Sequence, residues 1–143
     1  MHNSSKLQNQ YGLFINCEWT DGTDGKLLEA VRPADGEVLA KFIDATKEDV
    51  DAALKAAQDA LPASRKIGLE ERSRLLLAIA DVIEENAEHF ALVETLDNGK
   101  PLRETKAIDI PYSADHFRYF AGVIRSEEGT AQQITEDMLS INL

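Results

Sequence analysis

Cys17 is the single thiol of the sequence, and a thiol is the side chain best able to attack an electrophilic carbon without a strong base beside it. Its neighbours argue against that use. It alternates with Ile15 and Trp19 along an apolar face, and neither a helix start nor a basic side chain adjoins it to lower its pKa. The expectation is a small buried hydrophobic side chain. With no second cysteine, an internal disulfide and a CxxC metal or redox motif are excluded, a usage that fits a reducing compartment. His89 and His116 fall singly within helical patterns, without a cysteine or second histidine at ligand spacing, and His2 sits in a polar start; all three read as structural or solvent-facing. The run Asp21-Gly22-Thr23-Asp24-Gly25 imitates a calcium loop but lacks the third acidic ligand, the correctly placed glycine and the closing glutamate, so a hairpin turn is expected. Glu70-Glu71 and Glu84-Glu85 are adjacent on helical patterns and point apart, which makes them solvated faces rather than paired catalytic carboxylates. No GxGxxG or other glycine-rich phosphate loop occurs.

The elements that must hold these side chains follow from hydrophobic periodicity. Residues 1–10 are polar and aperiodic and read as a flexible leader. Leu13, Ile15, Cys17 and Trp19 alternate with Phe14, Asn16 and Glu18, a period of two that predicts a strand. Leu27 to Val31 forms a second strand, Pro33-Ala34-Asp35-Gly36 a turn, and Val38, Ala40 and Phe42 mark a third, together an antiparallel meander. Thr46 and Asp49 form an acidic capping box ahead of Val50, Ala53, Leu54, Ala57 and Leu61, a helix closed near Pro62 and Gly68. A second helix spans 69–85 with Leu75, Leu76, Ile79, Val82 and Ile83 on one side, and a third runs from Ala87 to Asn98-Gly99-Lys100-Pro101. Ile110, Ala114, Phe117, Ala121 and Ile124 mark a fourth helix, kinked or delimited at Pro111 and closed by Glu127-Glu128-Gly129. From Ile134 a turn leads into an apolar strand, 138–143, with no following partner, so the chain is expected to be unfinished.

At 143 residues, with 43% hydrophobic and 29% charged side chains, the sequence has the makings of one folded unit. The net charge of −11 repels phosphate backbones and anionic headgroups, which argues against nucleic acid and membrane surfaces as partners. No apolar h-region opens the chain and no run approaches the ~20 residues of a spanning helix, so a cytoplasmic location is expected.

Several ordered motifs carry a resemblance. Phe14-Ile15-Asn16, Glu18-Trp19, Pro33-Ala34, Gly36-Glu37-Val38, Ala45-Thr46, Glu48-Asp49-Val50-Asp51 and Ala56-Ala57 resemble the amino-terminal region of the NAD(P)-dependent aldehyde dehydrogenase superfamily. Glu94 to Pro101 (ETLDNGKP) is similar to that family's helix-to-helix corner, and Phe117 to Gly122 (FRYFAG) to the long helix after it. Arg103-Glu104-Thr105, Asp109-Ile110-Pro111 and Asp115 to Arg118 look most like the bacterial branch acting on acetaldehyde and other small aliphatic aldehydes. Two departures stand out: Cys17 where many members have glycine, and no tryptophan around Ala63-Ser64-Arg65.

The resemblance implies an α/β fold: amino-terminal antiparallel strands and helices of a Rossmann-like NAD-binding domain over residues 11–125, then, over 126–143, the start of the bridging hairpin used for oligomerisation, truncated in its first strand. It implies a parent enzyme, a homo-oligomer, that uses NAD or NADP to oxidise a small aldehyde to the acid. The family's nucleophilic cysteine, its water-activating glutamate and its dinucleotide motifs match nothing up to Leu143, so no catalytic or cofactor-binding residue is assigned and none of these groups is expected to bind this chain alone. A monovalent cation site in the family matches Asp97 with the carbonyls of Ala30 and Val31; support of the turn at Gly99 is the plainer alternative for Asp97. Ile108 and Tyr112 match positions bordering the substrate entrance, with ordinary helix packing as the alternative.

Three readings of the whole follow: an inactive aldehyde dehydrogenase fragment, a subunit of a split enzyme completed by a second chain, or a non-catalytic module that donates its last strand to another sheet. In each, the helical faces through Leu76, Ile83, Phe90 and Phe117 are expected to lack cover, favouring marginal stability or self-association.

Overall fold

The computed structural model describes residues 7–126 and 128–142. Its elements in chain order are β1 (Gln10–Tyr11), β2 (Leu13–Ile15), β3 (Glu18–Thr20), β4 (Leu27–Val31), β5 (Val38–Ile43), α1 (Lys47–Ser64), α2 (Leu69–Glu85), α3 (Ala87–Asn98), a single turn α4 (Leu102–Glu104), a π-helical turn (Thr105–Asp109), α5 (Ile110–Ser126), β6 (Thr130–Thr135) and β7 (Met138–Asn142). The α/β class expected from the sequence is what the chain adopts.

The strand layer corrects the expected meander. Asn16 and Cys17 both have positive φ, at 53° and 64°, the dihedral signature of a two-residue I′ hairpin turn. The alternating run from Leu13 to Trp19 is therefore two strands, β2 paired antiparallel with β3. A separate sheet has the order β1-β5-β4, with β4 antiparallel and β1 parallel to β5. The expected leader also shortens: Asn9 accepts a backbone bond from Lys41 and Gln10 begins β1, while residues 1–6 lie outside the described residues. The turn at 33–36 forms as expected, with Gly36 at φ 77° donating to the Arg32 carbonyl at 2.8 Å.

The helices follow the sequence closely. Thr46 and Asp49 make the full reciprocal capping box of α1, satisfying amide donors that the first turn leaves free. Gly99, at φ 80°, ends α3 in the left-handed conformation that a side chain resists. Before Pro111, which donates no amide hydrogen, the helix widens: Ile110 N–H donates to the carbonyl of Thr105, five residues back.

The core is narrow. Its buried hydrophobic residues are Ala40, Ile43, Ala80, Ala91, Ala114 and Ala121. Helices α2 and α5 form the principal helix pair, and their contact line is made of small residues seven apart on each: Ser73 and Ala80 on α2, Ala114 and Ala121 on α5. The Ser73 hydroxyl donates to the Ala121 carbonyl at 2.7 Å, which requires the two backbones to approach closely. Leu76, Ile83 and Phe117, expected to be bare, are half-covered because they flank this line, while Phe90 stays exposed. The bare apolar stripes lie elsewhere, on α1 (Val50, Leu54, Leu61), on the outer side of α2 (Leu75, Val82) and on α5 (Tyr112, Tyr119, Phe120).

The carboxy-terminal segment is a two-stranded hairpin in which β7 pairs antiparallel with the preceding β6, a strand that the sequence pattern does not predict. Both strands expose nearly every residue, including Ile134, Met138, Leu139 and Ile141.

Because Ala80 sits where α2 and α5 come nearest, Ala80→Leu forces extra volume into a fully buried contact. It is expected to destabilise the chain by about 1–3 kcal/mol, read as a lower urea midpoint, whereas Ala78→Leu on the exposed side of the same helix leaves the midpoint unchanged.

Candidate functional site

Two regions hold the residues singled out above. The first is the corner where α3 meets the β4–β5 turn. A Cβ built on Gly99 would lie 3.3 Å from Pro33, so the end of α3 rests directly on the turn that follows β4. Ala30 and Val31 occupy the last residues of β4, where the register with β5 slips: Ala30 opposes Ala40, Val31 opposes Val38, and Leu39 is passed over. Such a bulge interrupts the ladder and frees backbone groups from strand pairing. Asp97 is exposed on the last turn of α3, and among the described residues it makes no hydrogen bond or ion pair. Among the described residues no group of three or more His, Cys, Asp or Glu stands at metal-ligating distance. The corner thus offers one carboxylate, a bulged strand end and the carbonyl end of a helix, whose dipole favours positive charge. Carboxylate and carbonyl oxygens are hard donors, a type that suits alkali and alkaline-earth cations rather than soft transition metals.

The second region begins with Thr105. Its side chain is fully buried and donates to the Ala91 carbonyl at 3.0 Å or the Leu102 carbonyl at 3.1 Å, with the Thr95 hydroxyl 3.0 Å away. Lys100 pairs with Asp109 at 2.7 Å, and this hydrogen bond pushes the Lys100 pKa up. These contacts hold one end of the π turn on α3 and the other on the corner just after it. Ile108 lies in that turn and Tyr112 one turn further on; with Ala107, Pro111 and Asp115 they line an open hollow of about 300 Å³. Both are exposed rather than packed into the helix bundle. A contiguous hollow of about 270 Å³ is lined by Tyr112, Asp115, His116, Tyr119 and Phe120. The His116 ring meets the Tyr112 ring edge-on at 4.2 Å, and its Nδ1 lies 2.8 Å from the Tyr112 carbonyl, to which it can donate. His116 and Tyr119 were not singled out with Tyr112 from the sequence, although their spacing of four and seven residues places all three on one helical side.

The other chemical candidates resolve plainly. Cys17 is exposed at the tip of the β2–β3 hairpin, which corrects the expectation of a buried residue. Its left-handed φ is one that glycine adopts more readily than a residue with a side chain. The Asp21–Gly25 run is a link between two sheets rather than a hairpin turn. Thr23 turns inward, donating through Oγ1 to Asp49 at 2.6 Å, and its amide bonds the same carboxylate at 3.3 Å. A Cβ on Gly22 would come 2.7 Å from Ile43, so the link presses against the sheet. Glu70 and Glu71 both pair with Arg74, and Glu84 pairs with Arg118. His89 stands beside Phe90, with 6.1 Å between the ring centroids.

The junction of β5 with α1 is a poor place for a dinucleotide phosphate. β5 reaches α1 through Asp44-Ala45-Thr46, with no glycine turn, and the amides at the start of α1 are capped by Thr46 while the Asp49 carboxylate, an anion, stands beside them. No described helix is long and apolar enough to cross a membrane.

Residues 19–142 match the aldehyde dehydrogenase family model. The chain is 44% identical over 134 residues to an aldehyde dehydrogenase of Deinococcus radiodurans, an alignment covering 94% of this chain and 26% of that protein. The same identity and coverages, 44%, 94% and 26%, hold for an acetaldehyde dehydrogenase of Pseudomonas aeruginosa. Among solved structures, the NAD+ complex of an aldehyde dehydrogenase from Bacillus cereus superposes with a TM-score of 0.85 at 36% identity, over 92% of this chain and 27% of that one. The chain therefore spans about a quarter of the length of the relatives it matches.

Asp49 and Thr105 yield separate tests. Hydrogen bonds from Thr23 first, then Thr46, lower the Asp49 pKa from 3.8 to about 2. A carboxylate depressed in the folded state contributes stability that is present above about pH 4 and is lost as pH falls through about 2. In Asp49→Asn the urea midpoint is expected to start lower at pH 7 and to fall less between pH 5 and pH 2 than in the parent chain. Thr105→Val keeps the shape but removes the buried hydroxyl that bonds the Ala91 carbonyl and meets the Thr95 hydroxyl, an expected cost of about 0.5–1.5 kcal/mol measurable in the same denaturation series.

Proposed function

The chain belongs to the aldehyde dehydrogenase family, and from that premise we propose that it forms the amino-terminal part of an NAD(P)-dependent enzyme oxidising a small aliphatic aldehyde, such as acetaldehyde, to its carboxylic acid. The observation that carries this reading is the agreement of one continuous match, residues 19–142, with a superposition at TM-score 0.85 on the NAD+ complex of a relative. The 44% identity to a protein described as an acetaldehyde dehydrogenase supports the small-aldehyde substrate class.

In this reading residues 11–125 contribute strands and helices to the cofactor domain, and the 126–143 hairpin contributes to the assembly of a homo-oligomer. The nicotinamide cofactor, NAD or NADP, accepts hydride in the parent enzyme. No nucleophile and no dinucleotide cradle is assigned to the present residues, so the chain by itself is not catalytically competent. What its own residues do is shape. Thr105 and the Lys100–Asp109 pair fix the π turn, and that turn presents Ile108 and Tyr112 on one side of an open hollow suited to bordering a small aldehyde's path. Asp97 and the carbonyls of Ala30 and Val31 hold a monovalent cation that ties the end of α3 to the end of β4. The lone cysteine fits the reducing cytoplasm, and the net charge of −11 argues against a nucleic-acid role.

The decisive assay is NADH formation from acetaldehyde and NAD by the purified chain, run beside its intact mass. No turnover at the mass of 143 residues is expected. Turnover at that mass overturns the assignment of the nucleophile and cofactor site to other parts of the fold.

A further inference from the structure

We infer that the hollow between β1 and β3 is a binding site for a small alkylammonium cation, formed by the indole of Trp19, the ring of Tyr11 and the carboxylate of Asp21. The inference goes beyond the proposed function and does not rest on it, since it invokes neither the aldehyde nor the nicotinamide cofactor.

The hollow has a volume of about 440 Å³ and is lined by Gln8, Tyr11, Gly12, Trp19, Thr20 and Asp21. Three backbone features bring its walls together. Tyr11 ends β1, which pairs with β5, and its hydroxyl accepts the Gln8 amide hydrogen at 3.0 Å, so the ring is turned back toward Gln8. Trp19 lies at the middle of β3 opposite Phe14, whose ring centroid is 5.1 Å away and braces the indole while leaving Trp19 68% exposed. Gly12 joins the two walls. A Cβ at this position would stand 2.7 Å from the Thr20 carbonyl oxygen and 3.7 Å from the Trp19 ring, so the missing side chain lets the link from β1 to β2 close against β3. Gly12 has no positive φ, and its demand for glycine is one of space alone.

Charge selects the ligand. Asp21 is exposed, its side chain makes no hydrogen bond or ion pair among the described residues, and none of the lining residues is basic. The faces of Trp and Tyr rings carry negative electrostatic potential and attract ammonium groups within about 6 Å of the ring centre. The net charge of −11 adds a field of the same sign. A metal ion is the poorer fit, because Asp21 is the only carboxylate in the lining and a hard cation takes several oxygen ligands. An alkylammonium ion satisfies both walls: its charge faces Asp21 and its methyl groups cover the exposed indole.

The sequence contains one tryptophan, so the fluorescence of the purified 143-residue chain reports on Trp19 alone. The test titrates it with choline chloride, with the uncharged alcohol in which carbon replaces the quaternary nitrogen, with sucrose, and with sodium chloride at equal ionic strength. A saturable change with choline is expected, at a midpoint about tenfold lower than with the uncharged alcohol. Asp21→Asn and Tyr11→Leu are each expected to raise the choline midpoint about two- to fivefold, with circular dichroism matching the parent chain. Asp21 has no side-chain bond to lose, so its variant decides the matter even where Tyr11→Leu loosens β1. Broadening of the choline methyl resonance by the chain, lost in Trp19→Leu, reads the same site without the fluorophore. The inference is overturned by a response to choline that only tracks salt, by equal midpoints for choline and the alcohol, by saturation with sucrose but not choline, or by a choline midpoint that the Asp21 substitution leaves unchanged.

Discussion

The close approach of α2 and α5 is the contact on which the rest of the arrangement depends. Small residues at Ser73, Ala80, Ala114 and Ala121 let the backbones come near enough for a side chain of one helix to bond a carbonyl of the other. Arg118 then reaches across to Asp81 at 2.8 Å and Glu84 at 2.6 Å, which fixes the pair on its solvent side. Such exposed pairs add little stability individually. Their effect here is to set rotation about the helix axis, and that rotation decides which side of α5 carries Tyr112, His116 and Tyr119 outward.

The π turn takes its position from α3 on one side and from the start of α5 on the other. Thr105 is held from below by the Ala91 carbonyl of α3, and Pro111 follows in the first turn of α5, so the chain between them has a fixed span and one residue more than an α-helical path would use. π turns recur at functional sites because they re-aim side chains without breaking the helix. In this chain the re-aimed side chain is Ile108.

Much of this was readable in the sequence, and the exceptions have identifiable causes. Helices announce themselves twice, by periodicity and by end signals, and the signals at Thr46-Asp49 and Gly99 are both realised in geometry. The first strand pair is hidden in the sequence because a hairpin with a two-residue turn leaves the apparent alternation unbroken. The parity nevertheless flips across the turn: Phe14 opposes Trp19, with ring centroids 5.1 Å apart, so an even-numbered residue shares a side with an odd-numbered one. β1 pairs through the backbone of Gln10 and Tyr11, which leaves no side-chain signature, and β6 carries Gln132 and Gln133 where a half-buried strand would alternate. At the candidate site, the spacing of Ile108 and Tyr112 was legible while the hollow they line was not, since the π turn that aims them is set by the tertiary anchor at Thr105. The corner of Asp97 with Ala30 and Val31 came only from the family pattern: nothing in local spacing links the end of a strand to the end of a helix some 65 residues later, and the contact of Gly99 with Pro33 is what joins them.

A core made almost entirely of alanine has a consequence for what kind of object this chain is. Burial stabilises roughly in proportion to apolar area, about 25 cal/mol per Å², and alanine contributes the least area of the core-forming residues. The larger apolar side chains, Leu54, Leu75, Tyr112 and Phe120 among them, sit outside the core it forms by itself. Small residues inside and large ones outside is the distribution expected of a layer whose close internal packing sets its shape and whose main hydrophobic gain comes from what it is laid against. The capping box, the left-handed C-cap at Gly99 and the Ser73–Ala121 bond define that shape locally, at modest energetic cost. They give the exposed apolar faces a pre-organised geometry, and pre-organisation lowers the entropy lost when such a face is covered.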